Sequence, residues 1–172
     1  VPTIVTTVEY CSDIVTNNAG QIAWMETDGE DLELWLYSNG EKEQIPTTDQ
    51  GDRFYLNMNG SGHLVWTAVE NEFQYQIYLY RDGTTTQLTQ NNLNLLANIN
   101  DNGDIAWRRV EMNGENLSIN LRDENGQVTK ITEKDPDAFS WDKKDMASSH
   151  GALSSTGSVV WLERVGEVTQ VF

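Results

Sequence analysis

Four variants of one eight-residue pattern run through this chain, and they constrain the fold more than any other feature. They are Asn17-Asn18-Ala19-Gly20-Gln21-Ile22-Ala23-Trp24, Asn59-Gly60-Ser61-Gly62-His63-Leu64-Val65-Trp66, Asn100-Asp101-Asn102-Gly103-Asp104-Ile105-Ala106-Trp107 and Ser154-Ser155-Thr156-Gly157-Ser158-Val159-Val160-Trp161. In each, a polar turn containing Gly feeds a short apolar run that ends in Trp. A unit this short cannot bury its own apolar face, so it must stack on copies of itself.

The four tryptophans stand 42, 41 and 54 residues apart. Periods of about 40 to 45 residues are those of propeller blades. After each of the first three Trp a polar hairpin leads to a second strand, at Leu32 to Tyr37, Tyr75 to Tyr80 and Leu117 to Arg122. The clearest, Gln76-Ile77-Tyr78-Leu79-Tyr80, is rich in β-branched and aromatic residues and stops at the turn signal Arg81-Asp82-Gly83. Third strands follow at Glu43 to Ile45, Thr86 to Thr89 and Thr129 to Thr132. Fourth strands lead on to the next repeat at Arg53 to Met58, Leu93 to Ile99 and Phe139 to Trp141. Consecutive apolar positions such as Leu64-Val65-Trp66 indicate sheets covered on both faces.

The expectation is one all-β domain over residues 1–172, a β-propeller of four-stranded antiparallel blades with four blades per chain. In this phasing Thr3 to Thr6 and Glu9 to Val15 are third and fourth strands, while Val159 to Trp161 and Glu167 to Phe172 are first and second strands. The N-terminal strands then complete the last blade, closing the ring within one chain. Pairing of two chains into an eight-blade homodimeric ring is the competing arrangement.

The succession of turn-Gly-x-Ile-Ala-Trp, then Ile77-Tyr78-Leu79-Tyr80-Arg81-Asp82-Gly83, then Gln87-Leu88-Thr89, resembles the TolB-type, WD40-like propeller repeats of bacterial exported proteins. The family's usual turn is Ser-Pro-Asp-Gly, whereas this chain has Asn100-Asp101-Asn102-Gly103 and no Pro in any of the four turns. The resemblance implies a propeller, a role in protein contacts and export to the periplasm, cell surface or medium. It brings no catalytic residue, because the repeat motif holds none.

The charge balance of 11 basic against 27 acidic residues gives a net charge of −16. Such a surface repels phosphate backbones and anionic lipid, so nucleic acid is not an expected partner, and no apolar run approaches the ~20 residues of a membrane span. Cys11 is the sole cysteine, which excludes an intrachain disulfide and a thiolate zinc site and leaves it the reading of a small buried hydrophobe.

From Ile131 to Gly157 the chain runs 26 residues where the equivalent step from Leu88 to Gly103 takes 15, so an insertion occupies 133–150. It contains Trp141, Asp142 and His150, and loops longer than their scaffold requires often carry function. Trp35 and Trp141 fall outside the repeated Trp position. With Asp142 and His150 they form the expected ligand-binding set, the two indoles offering stacking surfaces for a sugar or peptide. The four repeated Trp are expected in the core.

The acidic turns around Asp28, Glu30 and Asp31, and around Asp101 and Asp104, lack the full calcium-loop pattern and are read as hairpin chemistry. His63 is expected to face solvent. A triad of Ser148, Asp145 and His150 has no nucleophile-elbow motif behind it. The glycosylation patterns at Asn59-Gly60-Ser61 and Asn116-Leu117-Ser118 are expected by chance in so Asn-rich a chain. No metal and no cofactor is expected. The functional expectation is a non-enzymatic binding or scaffold module for a protein or glycan, with a carbohydrate-active hydrolase or lyase as the alternative.

Overall fold

The computed structural model describes residues 5–8, 10–27, 32–48, 51–71, 74–111, 117–134, 152–160, 162–165 and 168–171. All regular elements among them are strands: β1 (Tyr10–Thr16), β2 (Ile22–Thr27), β3 (Leu32–Ser38), β4 (Glu41–Gln44), β5 (Arg53–Met58), β6 (Leu64–Asn71), β7 (Gln74–Arg81), β8 (Thr84–Gln87), β9 (Leu93–Ile99), β10 (Ile105–Val110), β11 (Leu117–Arg122), β12 (Val128–Lys134), β13 (Ala152–Leu153), β14 (Val159–Val160), β15 (Leu162–Val165) and β16 (Val168–Val171). Among the described residues no helix is long and apolar enough to cross a membrane.

Strands β1-β2-β3-β4 form one antiparallel sheet, here the first. Strands β5 to β8 and β9 to β12 repeat this arrangement as a second and a third group. A single parallel bridge from Tyr75 to Leu93 joins these two groups into one eight-stranded sheet. Beyond them β13 pairs with β14 and β15 with β16. The register bears out the repeat alignment: Trp24 faces Trp35, Trp66 faces Tyr78 and Trp107 faces Asn120 across the second and third strands of their groups. Trp66 and Tyr78 stack, with centroids 5.8 Å apart.

The sequence phasing differs from the structure at both ends. Strand β1 pairs with β2, and residues 5–8 form no strand, Thr6 instead receiving a hydrogen bond of 3.2 Å from the Lys42 Nζ. Among the described residues the N-terminal segment pairs with no strand near the C-terminus, and the described sheets do not close on one another. The polar turn before each Trp is a hairpin connection inside one sheet. Its short loop makes local pairing far less costly in entropy than pairing with a strand about 150 residues away. In the last repeat β13 precedes the turn and pairs with β14, while Phe139 to Trp141 lies outside the described residues.

The apolar core lies between sheets. Ala23, Met25, Leu34, Leu36 and Ile45 of the first sheet meet Leu56, Leu64, Trp66, Ala68 and Tyr78 of the second. Val65, Ile77 and Leu79 on the other face of the second group meet Ala97, Ile105 and Trp107 of the third. Burying each such large side chain contributes about 1.5–3 kcal/mol, so the junctions between sheets are the main stabilising units. Trp24, Trp66 and Trp107 are all buried, as expected of the repeated position. Trp161 lies outside the described residues.

Polar side chains lock the second junction. Asn94 accepts a bond from the Trp107 indole nitrogen at 3.1 Å and donates to Gln76 at 3.1 Å, while the Thr89 hydroxyl donates to the same Gln76 oxygen at 2.8 Å. All four residues are buried, and a satisfied buried network of this kind fixes one packing arrangement.

Each first strand carries the same distortion. The ladder slips between Ser12 and Val15 in β1, between Phe54 and Asn57 in β5, and between Leu95 and Asn98 of β9 where it faces β10. Within each slip one non-glycine residue is left-handed, Asp13 at φ 48°, Tyr55 at 60° and Leu96 at 59°. All three stand four residues before the Asn of the turn. Bulges of this kind bend and twist a strand, at a backbone cost of about 1–3 kcal/mol each.

Candidate functional site

The repeated turns do more than reverse the chain. In each of the first three, the Asn side-chain oxygen accepts two backbone N–H bonds from its own turn: Ala19 and Gln21 to Asn17, Ser61 and His63 to Asn59, Asn102 and Asp104 to Asn100, all at 2.9–3.1 Å. With its oxygen thus fixed, the amide nitrogen points out of the turn and reaches the next one. Asn17 donates to the Asn59 carbonyl at 3.1 Å, Asn59 to the Asn100 carbonyl at 3.0 Å and Asn100 to the Ser154 carbonyl at 3.0 Å. Ser154, at the fourth position, has a hydroxyl that caps its own turn through the Ser158 N–H and carries no amide to extend the series.

This one-way ladder gathers four turns from distant parts of the chain around an open cleft of about 300 Å³. The lining repeats with the turns. The residue before each Asn or Ser contributes Thr16, Met58, Ile99 and Leu153, and the residue after it contributes Asn18, Gly60, Asp101 and Ser155. The first set is mostly apolar and the second polar, so the cleft offers apolar contact beside a hydrogen-bonding rim. Asp101 braces the rim by accepting the Gly60 N–H at 2.6 Å. Among the described lining residues it is the one carboxylate, and none is a histidine or a cysteine. Among the described residues no group of three or more His, Cys, Asp or Glu side chains is placed to hold a metal ion.

Of the expected ligand-binding set, only Trp35 lies in described structure. It is half-buried on β3 and does not line the cleft. The Lys42 ammonium sits 3.9 Å from its ring centroid and 5.4 Å from that of Trp24. The same ammonium bonds Glu26 at 2.6 Å, and Glu26 in turn accepts the Trp24 indole N–H at 2.6 Å. A cation over two indoles and against a buried carboxylate is a self-satisfied cluster, so the chain itself occupies the stacking surface of Trp35. Trp141, Asp142 and His150 lie outside the described residues, as do Asp28, Glu30, Asp31, Ser148 and Asp145.

His63 is partly covered instead of fully solvent-facing. Its Nε2 is 3.8 Å from the Asp82 carboxylate. Burial holds its pKa below the ordinary value, and Arg81 adds to that, while Asp82 opposes both. Cys11 is half-buried, and burial followed by the nearby Glu26 raises its pKa, which favours the protonated thiol. The amide ladder is absent from the sequence expectations. Its signal is the recurrence of Asn, not merely a turn former, at the first position of three turns.

No protein-family model and no curated protein sequence matches the chain. Solved structures do match in fold. TolB from Acinetobacter baumannii aligns with a TM-score of 0.63 at 21% identity, covering 92% of this chain and 39% of that one. The β-propeller domain of the trilobed protease from Pyrococcus furiosus aligns with a TM-score of 0.65 at 11% identity, covering 95% and 49%. A chain of the nidogen/laminin complex aligns with a TM-score of 0.59 at 12% identity, covering 91% and 57%. This chain thus spans roughly two-fifths to three-fifths of the length of these three structures. With its antiparallel sheets stacked in series and its repeated turns gathered at one cleft, the chain has a TolB-like β-propeller repeat fold.

Proposed function

We propose that this is a non-enzymatic binding propeller, exported from a bacterial cell, which receives a protein partner at the cleft lined by the four repeated turns. The observation that carries this reading is the amide ladder: three buried or half-buried Asn side chains hold the rim in one geometry before any partner arrives. Preorganisation of that kind lowers the entropic cost of binding. The net charge of −16 favours a partner segment rich in Lys or Arg. A similar fold occurs in a structure of nidogen with laminin, a protein–protein complex.

Strand β12 takes up the first two residues of the expected insertion at 133–150, and the rest leads into β13, whose Leu153 lines the cleft, so Trp141, Asp142 and His150 are proposed as further partner contacts. At Trp35 a ligand binds only by displacing Lys42. With one carboxylate and no histidine among the described lining residues, binding is preferred to glycan hydrolysis or elimination, which need a paired acid and base.

Arrays of basic peptides and of glycans test the reading, followed by calorimetry on the best ligand. Asn18→Arg and Ser155→Arg, both at exposed rim positions, are expected to weaken it about tenfold or more, a loss of about 1.4 kcal/mol. Binding untouched by both variants, or turnover of a bound glycan, overturns it.

A further inference from the structure

Each Asn of the ladder uses its amide nitrogen twice. One N–H crosses to the carbonyl of the next turn. The other meets the side chain four residues on in its own repeat: Gln21 Oε1 at 2.7 Å from Asn17, His63 Nδ1 at 3.4 Å from Asn59 and Asp104 Oδ2 at 3.0 Å from Asn100. The residue at that position therefore has to present an acceptor. A carboxamide oxygen always can, whereas an imidazole nitrogen can only while it carries no proton.

The neighbours of His63 fix where its proton sits. The Asn59 oxygen accepts the Ser61 and His63 backbone N–H groups at 3.1 and 3.0 Å, so the amide nitrogen is the atom that faces the ring, and it can only donate. Nδ1 is then the acceptor, and the single proton of the neutral ring is on Nε2, 3.8 Å from the Asp82 carboxylate on the β7–β8 hairpin. Gln21 is attached on two sides in the same way, accepting from Asn17 and donating through Nε2 to Ser38 of the β3–β4 hairpin at 3.1 Å.

We infer that His63 is a proton-operated latch on the ladder: a proton added at Nδ1 turns the acceptor into a donor facing the Asn59 amide, releases that amide and loosens the rung from Asn59 to Asn100. Asn59 cannot answer by a half-turn of its amide, which would aim its NH2 group at the two backbone N–H groups that its oxygen now holds. It is only 3% exposed, so water has little access to the freed N–H. The charged groups that act on the ring are Arg81, which opposes the added charge, and Asp82, which favours it. The first turn sets the uncharged Gln21 beside Gly62, and Asp101 of the third turn is held on the Gly60 N–H. Burial and Arg81 together keep the ring neutral at neutral pH, so the latch opens only as pH falls below the ordinary value of 6.5.

Asn59 and Asn100 both line the cleft, so its rim is held at neutral pH and relaxes in acid. For the partner proposed above this means release in acid, and that consequence alone rests on the reading of the cleft as a binding site.

Hydrogen exchange of the Asn side-chain amides tests the latch, followed by NMR on the folded chain from about pH 7.5 to about pH 5 with Asn17 as internal reference. Protection of the Asn59 amide relative to that of Asn17 should fall by about three- to tenfold, as for the loss of one hydrogen bond. The fall should follow the titration of the His63 ring, and the neutral ring should carry its proton on Nε2. His63→Gln, which installs the residue of the first turn, should keep the ratio constant over the whole range. Backbone amides of β6 and β7 should stay protected throughout, which separates a loosened rung from unfolding. A ratio unchanged while His63 titrates overturns the inference. So does a neutral ring protonated on Nδ1, a fall that persists in His63→Gln, or a parallel loss of protection in β6 and β7. None of these outcomes depends on whether the cleft receives a partner.

Discussion

The Asn59 side-chain amide donates to the Asn100 backbone carbonyl at 3.0 Å while its oxygen holds the Ser61 and His63 N–H groups of its own turn. One buried side chain thus sets a turn and ties it to the next repeat. Asn59→Ala should cost about 2–3 kcal/mol in urea unfolding, because buried backbone groups lose their partners. Asn59→Asp keeps the turn acceptor but sets an anionic oxygen against the Asn100 carbonyl, so its loss should be of similar size. Asn17→Ala, at a less buried site, should cost about half as much.

Removing the cation from the Lys42 cluster strands a buried carboxylate. Lys42→Met should destabilise the chain by about 2–3 kcal/mol, with Glu26 left without a counter-charge and holding only the Trp24 indole N–H. Glu26→Gln combined with Lys42→Met should recover at least half of that loss, since no buried charge remains. Thermal unfolding of the two single variants and the pair gives the coupling.

Protonation of His63 is disfavoured in the fold, because burial and Arg81 outweigh the attraction of Asp82. Its folded pKa lies below the unfolded value of 6.5, so the unfolded chain binds the proton more readily. The contribution to stability is complete above pH 6.5 and is lost as pH falls below it. Urea midpoints followed from about pH 7.5 down to about pH 5 should fall less steeply in His63→Gln than in the native chain. An identical slope in the two proteins contradicts this assignment.

Two glycines with the same handedness separate backbone strain from packing. Gly40 has φ +88° and nothing within 4 Å of where a Cβ would stand, so Gly40→Ala should cost only the left-handed penalty, about 1 kcal/mol. Gly62 has φ +82°, and there a Cβ would stand 2.6 Å from the Gln21 side-chain oxygen of the neighbouring turn. Gln21 is held by Asn17 and by Ser38, so Gly62→Ala should cost about 1 kcal/mol or more beyond Gly40→Ala. Denaturant midpoints of the two variants measure the difference.

Much of this fold is legible in the sequence because strand register preserves sequence spacing. Aligning the Trp places Trp35, Tyr78 and Asn120 at one position, and the sheets pair all three with their repeat Trp. The sheet boundary falls elsewhere than expected because a short polar turn reads equally as a hairpin or as a link between blades, and only pairing of β1 with β2 decides. The ladder is hidden for a related reason. An Asn that caps its own turn looks complete in sequence, and the bond from Asn17 to Asn59 spans 42 residues. Trp35 reads as a free aromatic because nothing in the spacing shows that Lys42, on the adjacent strand, folds back over it.

Asp13, Tyr55 and Leu96 share a left-handed backbone at one repeat position, yet they are an acid, an aromatic and an aliphatic residue. The distortion is imposed by the bulge and not by any preference of the side chain it carries. Mutation can therefore exchange the side chain carried at that point of β1, β5 and β9 while the repeat keeps its geometry.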